Sequence, residues 1–371
     1  MSKKKVVVAM SGGVDSSLTA ALLRDEGYEV TGVTMQIWPS DDPEKEVDPG
    51  GCCSLSAVND ARRVADTLDI PFYVMNFRDL FEEKVINLFV HEYLEGRTPN
   101  PCIACNRFIK FEAFLAKARA LGADFIATGH YARISFEPDR GRYIIRRAED
   151  QRKDQTYVLY NMTQEQLSRT LMPLGDYTKD QVRRMAADYN LKVANKPESQ
   201  EICFVTDDDY GRFLREKAGV DIKPGPFLDT GGKVLGQHKG IVYYTVGQRK
   251  GLGITFGEPM YVVGLDPTRN AVILGRDLEV FGSRLVAGDN NYVLYESLSG
   301  PMKVQAKIRY GAKPSEAIIT PDDDGKVIVR FAEPQRAITP GQAVVYYEGD
   351  YVVGGGTIVK SEVNVHEYDL S

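Results

Sequence analysis

Near the amino end an apolar run, Val6-Val7-Val8-Ala9, passes into Ser11-Gly12-Gly13-Val14-Asp15-Ser16-Ser17 and then directly into a helix-periodic stretch with Leu18, Ala21 and Leu22. A strand feeding a glycine turn and a helix start is an anion site in outline. The glycines let backbone N–H groups approach phosphate oxygens, the helix contributes its positive end, and the hydroxyls of Ser16 and Ser17 can donate. The alternative is an ordinary strand-to-helix turn capped by serine or aspartate. No lysine follows the glycines, so the G-x-x-x-x-G-K-[ST] pattern of Walker-type NTPases is absent. Gly251-Leu252-Gly253 has no strand-turn-helix context and reads as a loop.

The same alternation continues through the first 130 residues. Helical periodicity is expected from about Asp15 to Asp25, Ser54 to Leu68, Leu80 to Leu94 and Asn106 to Leu121, with strands at Glu29 to Met35, Phe72 to Met75 and Phe125 to Thr128. This is the pattern of a parallel α/β sheet covered by helices on both faces. A further helix is expected at Lys179 to Tyr189. After about Phe204 the texture turns to short β-branched runs between turn clusters. Ile241 to Val246, Tyr261 to Leu265, Val327 to Phe331 and Ala343 to Tyr347 read as strands at sandwich or barrel spacing. The expected division is 1–210, 211–284 and 285–371.

With 371 residues, 43% hydrophobic and 26% charged, the chain has the composition of a folded protein of two or three domains. No apolar run approaches the 18 residues of a membrane span, and the start lacks a signal peptide's apolar core, so a cytoplasmic protein is expected. A net charge of −6 argues mildly against a nucleic-acid partner. Local stretches differ: Arg97 to Lys110, Lys239 to Lys250 and Lys303 to Lys313 carry cations and no acids, while acids gather at Asp41, Asp42, Glu44, Glu46 and Asp48.

Five cysteines, an odd number, do not make a disulfide framework and point to thiol chemistry or metal. Cys102 and Cys105 open a helical pattern at a spacing that can share a face, where a helix N-terminus favours the thiolate. A structural zinc site is the alternative, but with Cys203 there are three thiols where zinc usually takes four ligands. Cys52 and Cys53 follow Pro49-Gly50-Gly51. Adjacency prevents easy joint chelation, and a substrate-ordered loop and an inert pair both remain open.

The loop SGGVDSS resembles the pyrophosphate loop of the N-type ATP pyrophosphatases. The motifs GRTPNPCIACNRFIKF (Gly96 to Phe111), ATGHYAR (Ala127 to Arg133), KDQTYVLY (Lys153 to Tyr160), KPESQEICF (Lys196 to Phe204) and YTVGQRKGLG (Tyr244 to Gly253) extend the likeness. Together they resemble the tRNA-specific 2-thiouridylase family over nearly the whole chain. That resemblance implies an α/β fold: an N-terminal Rossmann-like parallel sheet of the adenine nucleotide alpha hydrolase kind, a small central domain and a C-terminal β-barrel. It implies an ATP site lined by Ala9, Met10, Ser11, Gly12, Gly13, Val14, Asp15 and Ser16, with Met35 and Gly129 beside the adenine or ribose, and Mg2+ with the nucleotide. ATP would adenylylate the C2 oxygen of the wobble uridine, making it a good leaving group that sulfur replaces.

By the same resemblance Cys203 accepts sulfur as a persulfide, and Cys105 releases it by forming a Cys105–Cys203 disulfide. The sulfur would come from a cysteine desulfurase or relay protein. Asn100, Pro101 and Cys102 would border the flipped base of the anticodon loop, and His130, Lys153, Asp154, Gln155, Arg309, Tyr310 and Gln342 would contact tRNA. One departure stands out. Many members carry aspartate where this chain has Cys102, and a thiol titrates near 8.5 rather than near 3.9. Cys102, Cys105 and Cys203 can instead be drawn as three ligands of a [4Fe-4S] cluster, which changes the mechanism and not the product. A pyrophosphate-loop ligase making a small metabolite, needing neither Cys105 nor Cys203, and a non-catalytic iron–sulfur or RNA-binding module are the rival readings.

Overall fold

A computed structural model describes residues 3–37, 55–196, 202–205, 209–219, 221–254 and 257–363. The chain divides into two compact units interleaved along the sequence. One comprises Met1–Ile86, Pro101–Asp208 and Asp350–Val352, the other Asn87–Asn100, Asp209–Gly349 and Val353–Ser371.

The first unit is built on a five-stranded sheet. Along the chain run β1 (Lys5–Ala9), α1 (Val14–Asp25), β2 (Glu29–Gln36), α2 (Leu55–Leu68), β3 (Phe72–Asn76), α3 (Arg78–Phe81), β4 (Phe125–Ala127), the strands β5 (Arg133–Glu137) and β6 (Arg142–Arg146), and β7 (Thr170–Leu171). The sheet order is β3-β2-β1-β4-β7, with every pair parallel. β1 is central, and this explains its unbroken apolar run: Val6 to Ala9 are buried, as parallel strands covered on both faces require. Chain order reverses between β1's two neighbours, β2 and β4. The carboxyl end of β1 is therefore a topological switch point, where open α/β sheets bind ligands. The glycine loop sits there. Val6, Val8, Val14 and Leu18 share one core with Leu174, Val182, Leu191, Val193 and Ala194 from the far end of the unit.

The helices expected at Leu80 to Leu94 and Asn106 to Leu121 differ in winding. Glu82–Ile86 and Cys105–Ala113 are π-helical, the second flanked by α-helical Pro101–Ala104 and Phe114–Ala120. The side chains give a reason: Asn106 and Phe111, five residues apart, are both buried, a spacing that the wider π turn brings onto one face. The antiparallel pairing of β5 with β6 was not expected from the alternating pattern.

The second unit holds two β assemblies. β8 (Gly225–Asp229), β9 (Val234–His238), β10 (Tyr261–Asp266) and β11 (Ala271–Gly275) form a four-stranded sheet in the order β10-β11-β8-β9. β12 (Phe281–Tyr292), β13 (Met302–Lys307), β14 (Ser315–Pro321), β15 (Val327–Arg336), β16 (Ala343–Glu348) and β17 (Tyr351–Val363) follow in the order β12-β15-β14-β13-β16-β17. β17 pairs back onto β12 and closes a six-stranded barrel, which removes free edges. Alternation carries the barrel: Ala317 and Ile319 are buried while Glu316 and Ile318 are exposed.

One expected strand is absent. Ile241 to Val246 begins as a 3-10 turn, Ile241–Tyr243, because Gly240 and Gly247 flank it at positive φ and Tyr244 N bonds back to Ile241 O. Its apolar residues Ile241, Val242 and Tyr244 are buried all the same. Among the described residues no helix is long and apolar enough to cross a membrane.

Candidate active site

The glycine loop is shaped by its own polar groups. Gly12 sits at φ +70°, and a Cβ there would lie 2.2 Å from the Ala57 carbonyl oxygen, so α2 crosses against bare backbone. Gly13 caps α1 in extended conformation. Its carbonyl accepts the Ser17 hydroxyl at 2.8 Å and the Ser17 N–H at 3.2 Å, and the Ser16 hydroxyl oxygen accepts the Ser11 N–H at 3.1 Å. Ser17 is fully buried, so its hydroxyl holds the loop rather than facing a ligand. The buried Ala9 and Met10 lead into the turn, and the Met10 carbonyl accepts the Thr34 hydroxyl at 2.7 Å. Val14, also buried, starts α1. Met35 lies half-buried on β2, in register with Met75 of β3. Gly129, just past β4, lies so close to the first turn of α1 that a Cβ would stand 2.7 Å from Ser16 N.

Two lysines complete the loop's surroundings, and sequence reading missed both. Asp15, on the first turn of α1, accepts Lys179 Nζ on both oxygens at 2.7 and 2.8 Å and the Tyr131 hydroxyl at 2.7 Å. Tyr131 is held in turn by Gln155, whose side-chain oxygen accepts Tyr131 N and whose own N–H donates to Tyr131 O. Lys179 is buried at the start of the helix Lys179–Asp188, where the dipole disfavours a cation. That misplaced charge was the signal available in the sequence. Its own N–H donates to Asp150, a buried acid. Burial opposes ionisation of Asp150, but hydrogen bonds from Lys179 and Arg152 outweigh it and hold its carboxyl below the usual range. The second lysine, Lys196, donates to the Gly12 carbonyl at 3.2 Å and to Asp60 of α2 at 2.7 Å.

Cys102 is exposed, while Cys105 and Cys203 are half-buried; all three are thiols and belong to the first unit, with the loop. Pro101, buried, opens the helix that carries Cys102, and Cys105 begins the nine-residue π-helix. Cys203 lies on a turn closed by Val205 N to Ile202 O, and its neighbour Phe204 is buried edge-on against Phe81 of α3, ring centroids 5.8 Å apart. α3 packs in turn on the π-helix that Cys105 begins. Cys52, Cys53, the acidic run and Pro197 to Glu201 lie outside the described residues.

The residues expected at RNA fall into two groups. Asp154 is buried and accepts from Ala148 N and the Thr156 hydroxyl, and Gln155 supports Tyr131 as described, whereas Lys153 is partly exposed. In the second unit Arg309 and Tyr310 are exposed, with Lys307 over the Tyr310 ring; Asn100 is half-buried; and Gln342 donates to Thr98 O at 2.8 Å.

His130 is buried against Phe111, its Nδ1 2.8 Å from the Thr128 hydroxyl. Burial, reinforced by Lys110, pushes its pKa well below 6.5. The folded protein therefore resists a proton that the unfolded chain accepts. Well above pH 6.5 both forms are neutral and His130 contributes nothing to pH dependence. Below it, stability falls by up to about 1.4 kcal/mol per pH unit until the folded-state pKa is reached. Urea melts between pH 5 and 7 are expected to show this component in the wild type and to lose it in His130→Asn.

A parallel sheet with a phosphate loop at its switch point, followed by two β assemblies, defines a nucleotide-binding α/β protein with appended β domains. Family models agree segment by segment: the tRNA methyl transferase HUP domain matches residues 4–207, the tRNA methyl transferase PRC-barrel domain 211–276, and the aminomethyltransferase β-barrel domain 283–358. The tRNA-specific 2-thiouridylase of Acetivibrio thermocellus is 60% identical over 358 residues, covering 96% of this chain and 100% of the relative. Those of Pelotomaculum thermopropionicum and Desulforamulus reducens are 61% and 60% identical, covering 96% and 97% of this chain and 98% of each relative. The chain belongs to the tRNA-specific 2-thiouridylase family.

Proposed function

We propose that this protein is a tRNA-uridine 2-sulfurtransferase, acting in the cytoplasm on the wobble uridine of the anticodon loop. The observation that carries the reading is the presence, in one compact unit, of a phosphate loop at the switch point and the thiols Cys105 and Cys203. The HUP family model's description speaks of methyl transfer. A methyl group taken from an already activated donor has no use for ATP cleavage, whereas a uracil carbonyl oxygen leaves only after activation.

In the proposed sequence the C2 oxygen attacks the α-phosphorus of ATP and pyrophosphate leaves, its charge taken by the loop amides and the end of α1. Mg2+ would accompany the nucleotide and offset the polyphosphate charge; Asp15, the loop's carboxylate, is already bonded to Lys179 and Tyr131. A donor leaves Cys203 as a persulfide. The Cys105 thiolate attacks the inner sulfur, the outer sulfur departs as hydrosulfide, and a Cys105–Cys203 disulfide forms. Hydrosulfide adds to C2, and AMP leaves with the former C2 oxygen. An external thiol reductant supplies two electrons to restore the pair. The base must be unstacked for C2 to be reached, which a loop allows at lower cost than a duplex. Asn100, Pro101 and Cys102 border that base in this reading. Lys153, Arg309, Tyr310 and Gln342 meet tRNA, and His130, Asp154 and Gln155 act by holding the site's walls. The division at about 210 and 285 separates the catalytic, connecting and tRNA-gripping parts.

The alternative of a [4Fe-4S] cluster needs three thiolates in one ligand set. Among the described residues no three His, Cys, Asp or Glu side chains are grouped to hold a single metal ion; a cluster sets its thiolates on separate irons, so iron content is what separates the two routes. The test is mass spectrometry of tRNA nucleosides after incubation with ATP and a sulfur source, on anaerobically purified enzyme assayed for iron. Iron-free protein that makes 2-thiouridine is expected. Product formed only by iron-loaded protein would overturn the persulfide route, and no 2-thiouridine at all would overturn the function.

A further inference from the structure

The glycine loop carries no lysine of its own, yet an ammonium stands beside it. Lys196, 184 residues from Gly12 in sequence, donates to the Gly12 carbonyl at 3.2 Å and pairs with Asp60 at 2.7 Å. Its base is fixed: Leu191, Val193 and Ala194 lie in the same core as β1 and α1, and Lys196 N bonds to Val193 O. The side chain is about one-third exposed, so the ammonium can meet a ligand arriving from solvent.

We propose that Lys196 supplies the cation that this phosphate loop lacks in its own sequence, and binds the polyphosphate of the nucleotide. An ammonium has three donors, and two are placed on Gly12 O and Asp60. A cation on the Gly12 carbonyl also polarises the Gly12–Gly13 peptide, strengthening its N–H as an anion donor. Asp60 is the counterweight. It keeps the ammonium paired and close to the loop, and it competes with an incoming phosphate. Cys203 follows Lys196 by seven residues, which limits the Cα separation to about 24 Å. The residue that binds the polyphosphate thus tethers the segment that carries the sulfur.

The inference rests on the proposed nucleotide site, and inorganic pyrophosphate, measured by calorimetry on the full chain, separates the two. Lys196→Met is expected to weaken pyrophosphate binding by about 10- to 100-fold, the loss of one charge-assisted hydrogen bond. Lys196→Arg should recover most of it. Asp60→Asn, which removes the competitor, should tighten binding about two- to fivefold, whereas a purely structural Lys196–Asp60 pair predicts weakening. Unliganded melting temperatures should stay close to wild type, as for a partly exposed pair. Wild-type affinity in a folded Lys196→Met, or weaker binding in Asp60→Asn, overturns the role of Lys196. No pyrophosphate binding by the wild-type protein overturns the nucleotide site as well.

Discussion

Cys203→Ser is expected to lower formation of 2-thiouridine by at least about 10³-fold, the scale seen when a nucleophile is removed. A serine hydroxyl cannot carry persulfide sulfur, and nothing in the adenylylation step calls on it. Pyrophosphate release dependent on tRNA should therefore persist and stop after about one equivalent per enzyme, the burst of a stalled intermediate. Cys105→Ser should show the same burst, now with persulfide accumulating on Cys203 and detectable by intact-mass spectrometry. Cys203 is only half-buried, so its variant should keep its stability within about 0.5 kcal/mol. A rival ligase that uses ATP to make a small metabolite predicts the reverse, full activity in both serine variants. A non-catalytic RNA-binding module predicts no pyrophosphate release in any variant.

Gly12→Ala should be among the most damaging single-methyl changes in the first unit. The new Cβ would meet the Ala57 carbonyl oxygen at 2.2 Å and its carbonyl carbon at 2.9 Å, on a backbone at φ +70°. Neither obstacle is a flexible side chain, so α2 or the loop must shift. A cost of about 3 kcal/mol or more in urea unfolding is expected, together with loss of pyrophosphate binding. Gly27→Ala is the control: its φ is +92° but nothing lies within 4 Å, so only the conformational penalty of about 1 kcal/mol applies. Equal costs for the two would show that crowding at the loop is not what fixes it.

Much of this site is written locally. β1, the glycine turn and α1 follow one another without interruption, so strand burial, turn and helix start are all legible from adjacent residues. The barrel strands are legible for a similar reason, since buried Val327, Val329 and Phe331 alternate with more exposed neighbours. What sequence could not supply is held by distance along the chain. Lys179 reaches Asp15 across 164 residues and Lys196 reaches Gly12 across 184. No periodicity encodes such pairs. The π winding from Cys105 depends on which side chains the core accepts, and apolar spacing alone predicted an ordinary α-helix. Ile241 to Val246 failed for the opposite reason: its composition suits a strand, but the glycines at either end bend it into a buried turn.

In the proposed reaction ATP primes the C2 oxygen of a uridine so that sulfur can displace it. A tRNA transcript labelled with oxygen-18 at the wobble uridine C2 carbonyl, incubated with ATP and a sulfur source, tests this in one turnover. One labelled oxygen is expected in the phosphate of the AMP released, matched one for one by 2-thiouridine. Unlabelled AMP alongside 2-thiouridine would contradict it.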